Sequence, residues 1–443
     1  MKKIVYLTLF NLLFLFAFYG IVMALGRWSE SPDLIEQKDA FEKIEVISSQ
    51  TPEVRSALDN KGAFAAISSQ PSGIEWGRYY GGDQRDTASD WSTTNDGGYI
   101  FAAVTESFGV TNKTIFVTKT DATGVVVWAK IYGQTFDWYA HSIQQTTDNG
   151  FIIAGSYHNQ SSANVMTEYG AFLLKLDANG NAEWNKIFNG GPFSSSLEVK
   201  QFLDGYAIVC GLDKDLFIFA TDANGNLAWS RILDGSSAND YHSARIEVDN
   251  QNGSVTVFGQ YQYDDGSTYT RYRLTIYTVS SSGVSSLEAT HQGAFQSLND
   301  SIKTADGGYA LVGRSGTTLS SIFMKLDQQF GISWTRQYEP TPDDLYSIPP
   351  THDTYDLNSI EQTSDGYIMS GAYRQVNTGN SSNIRLLKLN TDGTVNWEVI
   401  HSIQHRDDAN FAHATADGGY VVGGITDAFT FGSRPMIFLM KLQ

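Results

Sequence analysis

Seven times along this chain a Gly/Asp turn followed by a short apolar run returns at a period of about fifty residues, a spacing that restricts the fold to an array of like supersecondary units. The turns read DGGYI at Asp96, DNGFI at Asp148, DGYAI at Asp204, NGSVTV at Asn252, DGGYA at Asp306, DGYIM at Asp365 and DGGYV at Asp417. The second half of each unit is as regular: an apolar run ending in Lys-Leu-Asp or a variant, a Gly/Asn turn, then a Trp. Phe172-Leu-Leu-Lys-Leu-Asp177 with Ala-Asn-Gly-Asn-Ala-Glu-Trp184 shows the pattern, as does Ile384-Arg-Leu-Leu-Lys-Leu-Asn390 with Thr-Asp-Gly-Thr-Val-Asn-Trp397. The Trp markers are Trp76, Trp128, Trp184, Trp229, Trp334 and Trp397, with Leu287 standing in once.

Each unit holds four runs of strand length separated by hairpin-type turns. In the second unit they are 140–146, 151–156, 171–176 and 182–188, here called a, b, c and d. Runs b and c are rich in Val, Ile, Phe, Tyr and Leu, as expected of strands packed on both faces, while a is more polar. Four-stranded antiparallel sheets repeated seven times predict an all-β, seven-bladed β-propeller. The ends of the repeat agree. The chain stops at Ile437-Phe-Leu-Met-Lys-Leu-Gln443, a c strand with no d strand after it, and Gly73-Ile-Glu-Trp-Gly-Arg-Tyr-Tyr80 is a d strand with no blade before it. The two should pair, so that the N-terminal strand closes the ring in the last blade. On d, the recurring Trp is expected to cover the gap between blades, with its indole N–H reaching a carbonyl at the rim. The Gly and Asp of the turns supply positive φ and side-chain to backbone bonds.

Residues 73–443 are therefore read as the propeller, and two segments precede it. Residues 1–26 carry Lys2 and Lys3 and then an apolar run from Ile4 to Leu25, which reads as an export signal or an uncleaved N-terminal membrane anchor through residues 4–25. Either places the rest outside the cytoplasm: secreted, periplasmic or anchored to the cell envelope. Residues 27–72 read as a spacer with a short helix starting near Ser31 and Pro32.

Composition narrows the partners. A formal charge of −18 with no basic stripe argues against nucleic acid. The single cysteine, Cys210, lies in an apolar b run and reads as a small buried hydrophobe. It cannot form an internal disulfide, so stability has to come from blade packing. No cofactor or metal motif is read.

The cycle of Trp, Tyr-Gly-Gly, Asp-Gly-Gly-Tyr-Ile, Lys-Leu-Asp and Trp, clearest between Trp76 and Trp184, resembles the bacterial seven-bladed β-propeller repeat families of exported and surface proteins. The stretches from Asp177 to Trp184 and from Asp222 to Trp229 are distantly similar to the PQQ-like repeats of quinoprotein propellers and of the outer-membrane assembly lipoprotein. The resemblance implies a fold and an extracytoplasmic setting. It does not imply quinoprotein chemistry, since those enzymes resemble an eight-bladed ring with a vicinal cysteine pair.

In this topology the short a–b and c–d turns share one face and the variable b–c and d–a loops share the other. Variable loops on a rigid scaffold are where recognition is expected. The tyrosine-rich, acidic residues of that face make the candidate binding set Trp138, Tyr139, Tyr241, Tyr263, Asp343, Asp344, Tyr346, His352 and Tyr355, suited to sugar rings or a protein surface. Acidic residues also precede several a strands, namely Asp86, Asp137, Asp240, Asp356 and Asp408. They are read as locking the d–a turns, with a carboxylate ring for Ca2+ at the channel mouth as the alternative. His141, His242 and His413 fall on a strands at unequal heights, a poor arrangement for a shared metal. No linear motif commits to a catalytic reaction. The expected function is a non-catalytic binding or scaffold module for a cell-surface protein or glycan; the alternative is an extracytoplasmic glycosidase or lyase using the same face.

Overall fold

Alternation of apolar runs with Asp/Gly turns produces hairpins in series, and in the computed structural model these form seven antiparallel sheets arranged as a seven-bladed β-propeller. The structure describes residues 73–443 apart from loop residues 134–135, 161–165, 190–196, 213–214, 235–238, 264–270, 294, 316–319, 339–353, 375–381, 404–405 and 428–434, together with three short strands upstream. Within each blade the order is a-b-c-d from the channel outward. Blade 2 shows it: a is Asp137–Gln145, b Phe151–Gln160, c Met166–Leu176 and d Ala182–Asn189. Strands b and c are almost wholly buried, because each faces a neighbouring blade on both sides: Tyr99–Thr105 and Thr114–Thr120 of blade 1 have one side chain between them that is not buried.

Ring closure takes the expected form. Ile74–Tyr80 is strand d of blade 7 and pairs antiparallel with Met436–Leu442, its strand c, with Tyr80 opposite Ile437 and Ile74 opposite Leu442. Gln443 N–H donates to Gly73 O at 3.1 Å, as Asp177 N–H donates to Asn181 O at 2.9 Å in the continuous c–d turn of blade 2. The break between first and last residues of the ring thus reproduces the hydrogen bond of a covalent turn.

The recurrent Trp packs as its periodicity suggests. Trp128 in strand d of blade 1 covers Gly180 in the c–d turn of blade 2, and its indole N–H donates to Ala178 O at 3.1 Å. Trp229 repeats the contact on blade 4, donating to Ser281 O at 2.9 Å. Beside them, Tyr132 Oη donates to Gly180 O at 2.6 Å, and Tyr338 Oη to Gly393 O at 2.9 Å. The Lys of the Lys-Leu-Asp motif has a partner that was not anticipated. It bends back to the turn Asp of its own blade, as Lys119 does to Asp96 (2.9 Å) and Lys325 to Asp306 (2.9 Å). Cys210 is fully buried and free, as expected.

The export or anchor segment, residues 1–26, lies outside the described residues. Of residues 27–72, only Glu36–Asp39, Val46–Ser48 and Arg55–Ser56 are described, as short strands on the outer edges of blades 2, 1 and 7. Glu36–Asp39 is extended, where a helix was expected. Among the described residues no helix is long and apolar enough to cross a membrane.

Candidate functional site

Strand a has one hydrogen-bonded neighbour, strand b, so its other edge opens on the central channel with unpaired N–H and C=O groups, which a buried edge cannot leave unsatisfied. Side chains from the adjacent blade meet that requirement. The seven a strands are Asp86–Thr93, Asp137–Gln145, Glu198–Phe202, Asn239–Asp249, Phe295–Lys303, Thr354–Thr363 and Asp407–Ala414. Together they line a channel of about 910 Å³.

Acidic side chains cross alternate seams. Asp90 of blade 1 accepts the backbone N–H of Ile143 in blade 2 at 2.8 Å, Glu198 of blade 3 that of Ile246 in blade 4 at 2.9 Å, and Asp300 of blade 5 that of Ile360 in blade 6 at 2.9 Å. Other groups close the seams between. Gln144 accepts from Gln201 N at 2.7 Å and Ser243 from Leu298 N at 3.0 Å, while Asn358 donates to Ala409 O at 2.9 Å. The last seam, blade 7 to blade 1, is held by Asn410, whose Oδ1 accepts the indole N–H of Trp91 at 2.9 Å.

Bulges supply some of these side chains. The register of strand a against strand b slips at Asn299, Asn358 and Asn410, and the extra residue is turned toward the channel. Opposite each bulge strand b carries a glycine because no Cβ would fit. A Cβ on Gly313 would stand 2.0 Å from Ser297 O, and one on Gly371 1.8 Å from Asp356 O.

The channel is also electrically unusual. Burial raises the Asp90 and Glu247 carboxyls to about 7 and that of Asp300 to about 6. Lys200 lies 3.2 Å from Glu198; burial pulls its pKa down, but Glu198, Glu247 and Asp300 outweigh that and raise it. Arg245 on strand a of blade 4 donates through Nε to Asn299 O at 2.7 Å. Burial lowers His141 to about 4, so its imidazole is neutral at pH 7, with Nε2 2.9 Å from Ser156 Oγ. The channel therefore holds carboxyls poised to exchange protons near neutrality beside a permanently charged lysine.

The sequence-selected residues are dispersed by comparison. Trp138 and Tyr241 are only 1 % and 4 % exposed. Trp138 packs edge-on against Phe172, and the Tyr241 hydroxyl bonds to Asp234 at 3.0 Å, so both rings serve the packing. Tyr139 and Tyr263 are half-buried on the variable-loop face. Lys113 Nζ donates to Tyr139 Oη at 3.1 Å, and the Arg273 guanidinium lies 4.0 Å over the Tyr263 ring. Tyr355 falls on strand a of blade 6, its side chain outside the described residues, and Asp343, Asp344, Tyr346 and His352 lie outside them altogether.

Of the five acids expected to lock d–a turns, the Asp240 side chain lies outside the described residues and Asp137 accepts the backbone N–H of Lys113 in blade 1 at 2.9 Å; the other three divide in two. Asp86 accepts from Gly82 N at 2.8 Å and Ser107 Oγ at 2.9 Å, a local lock. Asp356 and Asp408 instead face arginines. Among the described residues no three His, Cys, Asp or Glu side chains are grouped to hold a metal ion.

Sequence reasoning missed the channel acids, although a signal was present. Asp90, Glu198 and Asp300 each stand six residues before the turn aspartates Asp96, Asp204 and Asp306.

No protein-family model matches the chain, and no curated protein matches it in sequence. Solved structures match in shape. A protein from Lactobacillus plantarum aligns over 81 % of this chain and 96 % of its own length, at TM-score 0.49 and 13 % identity. A 6-phosphogluconolactonase homologue from Bacteroides fragilis aligns over 75 % and 89 %, at TM-score 0.45 and 12 % identity. A GH43 β-1,3-galactosidase aligns over 60 % and 93 %, at TM-score 0.35 and 8 % identity. Likeness at this level concerns architecture, not activity.

Proposed function

We propose that the chain is an exported propeller acting as a non-catalytic binding module, engaging a glycan or protein at the cell envelope through its variable-loop face. One observation carries the reading: channel side chains such as Asp90, Glu198 and Asp300 accept hydrogen bonds from the backbone of the next blade, so they work as mortar for the ring. The loop face, in contrast, holds half-buried aromatic rings beside cationic groups, among them Tyr139 with Lys113 and Tyr263 with Arg273. The export assignment rests on the apolar run from Ile4 to Leu25 behind two lysines.

A glycosidase or lyase is the second reading. It draws on the carboxyls of Asp90 and Glu247, which titrate at about 7 as a general acid at neutral pH requires. The test applies glycan-array binding and a pulldown from envelope extract to the chain with and without residues 339–356, alongside an assay for reducing ends released from polysaccharide. Binding that is lost with the loop and unaccompanied by turnover is the expected outcome. Turnover abolished by Asp90→Asn would replace the binding reading with the enzymatic one.

A further inference from the structure

On the variable-loop face, blades 5, 6 and 7 bring three guanidiniums and two carboxylates into one row. Arg314 lies in strand b of blade 5 (Tyr309–Ser315), Asp356 in strand a of blade 6 and Arg374 at the end of strand b of blade 6 (Gly366–Arg374); Asp408 lies in strand a of blade 7, with Arg406 just before it. The separations are 4.0 Å from Arg314 Nε to Asp356 Oδ1, 3.7 Å from Arg374 Nη1 to Asp356 Oδ2, 3.5 Å from Arg374 Nη2 to Asp408 Oδ2 and 3.2 Å from Arg406 Nε to Asp408 Oδ2.

Three features set the row apart from ordinary surface ion pairs. First, three guanidiniums share two carboxylates, and a third acid, Asp427, is held at the end of the row by the backbone N–H of Arg406 at 2.7 Å. Second, only the Arg406 contact is a hydrogen bond; the others are at ionic range, and a guanidinium offers five N–H donors in a fork that fits a carboxylate. The Arg374 and Arg406 side chains are 45 % and 50 % exposed and so accessible from the loop face, whereas the two acids are 14 % and 11 % exposed. Third, two buried polar atoms in the row have no hydrogen-bond partner: Arg314 Nε, a donor, and Asp408 Oδ1, an acceptor. A buried polar atom left unmatched is costly, and a missing donor and a missing acceptor in one row are met together by hydroxyl groups.

Resting on the proposed binding role of this face, we propose that the row is a subsite for a uronic acid residue of an acidic glycan. Its carboxylate sits in the fork of Arg374 and Arg406, and its ring hydroxyls accept from Arg314 Nε and donate to Asp408 Oδ1. A peptide carboxylate would satisfy the arginines, but its amide groups are joined to it through a flexible side chain, whereas a pyranose holds its hydroxyls rigidly beside its carboxylate, which is why the sugar is favoured over an acidic peptide.

The test is calorimetric titration of the full chain with a galacturonic acid tetramer, its methyl ester and a glutamate tetramer, in low salt. The acid form is expected to bind at least about tenfold more tightly than the ester, and Arg374→Gln and Arg406→Gln each to weaken it by a similar factor. Arg336→Gln, which removes a cation on the outer strand of blade 5, should leave binding unchanged, and thermal melts of all three variants should match the parent. Equal binding of acid and ester, tighter binding of the glutamate tetramer, insensitivity to both arginine variants, or no binding at millimolar ligand would each overturn the subsite. Ester binding that disappears when residues 339–353, which contribute nothing to the row, are removed would sink the uronate assignment while leaving the binding face standing.

Discussion

At Gly180 φ is +72°, and a Cβ placed there would stand 2.8 Å from Trp128. Two separate costs are therefore joined in one position: a left-handed backbone and the displacement of an indole. Gly180→Ala is expected to destabilise the fold by about 2 kcal/mol, and by only about 1 kcal/mol in a Trp128→Ala background, where the backbone cost alone remains. Urea denaturation of the four proteins of that cycle measures the difference; strict additivity would show that the indole imposes nothing on the glycine. The molecule contains its own control. Blade 4 has Leu287 where other blades have Trp, and the turn it faces has Phe330 at φ 63° in place of glycine, stacked on Tyr309 at 5.5 Å. Gly and Trp were legible in the sequence as separate markers, because each recurs at a fixed offset. Their contact was not, because it joins one blade's strand to the next blade's turn, and Phe330 becomes intelligible only when both are seen together.

Among the elements, the strand that closes the ring has the largest structural role. Trp76, Tyr79 and Tyr80 are all buried in the seam of blade 7, so removing residues 73–82 strips a complete outer strand and uncovers the apolar face of Met436–Leu442. That deletion is expected to abolish a single cooperative thermal transition, and an unchanged melting curve would refute closure. The complementary design is a circular permutant in which Gln443 is joined to Gly73 through Ala-Asn-Gly, copying 178–180 between residues already bonded as Asp177 and Asn181 are. It should melt at or above the parent temperature. Closure was readable from an unpaired c strand at one end and an unpaired d strand at the other. The channel seams were not read, although glycines in apolar b strands such as Gly313 and Gly371 announce the bulges opposite them. Strand a has no periodic apolar face to attract attention, and an acid six residues before the turn aspartate recurs on alternate blades only. On the loop face composition could not separate Tyr139, half exposed, from Trp138, one residue away and buried, since neighbours on a strand point to opposite faces.

Over the whole ring two sets of carboxyls titrate in opposite senses, and together they shape stability against pH. In the turns, the partial burial of Asp96, Asp148 and Asp306 is outweighed by hydrogen bonds from the neighbouring Thr and by the strand-c lysine, which hold them at about 2. A depressed folded pKa means stability that is complete above about pH 4 and is lost as the pH falls toward 2. In the channel, Asp90 and Glu247 at about 7 and Asp300 at about 6 are raised by burial, so the folded state holds protons that the unfolded chain has released. Their effect runs the other way: stability falls as the pH rises from about 4 through 7 and the buried carboxylates ionise. His141, lowered to about 4 by burial, opposes them between about pH 6.5 and 4, because the unfolded chain then binds the proton more readily. Comparing wild type with Asp90→Asn removes the histidine contribution, which both proteins share. The asparagine loses one of the two backbone bonds that Asp90 accepts, from Trp91 and Ile143, an offset that does not vary with pH. Superimposed on it, the variant should gain about 2 kcal/mol relative to wild type between pH 5 and pH 8, as the wild-type carboxyl ionises and the amide does not. Urea midpoints for both proteins across that range decide the matter: a difference that stays flat with pH would mean that Asp90 is ionised throughout, and that the channel is wetter and less constrained than its hydrogen-bonded seams imply.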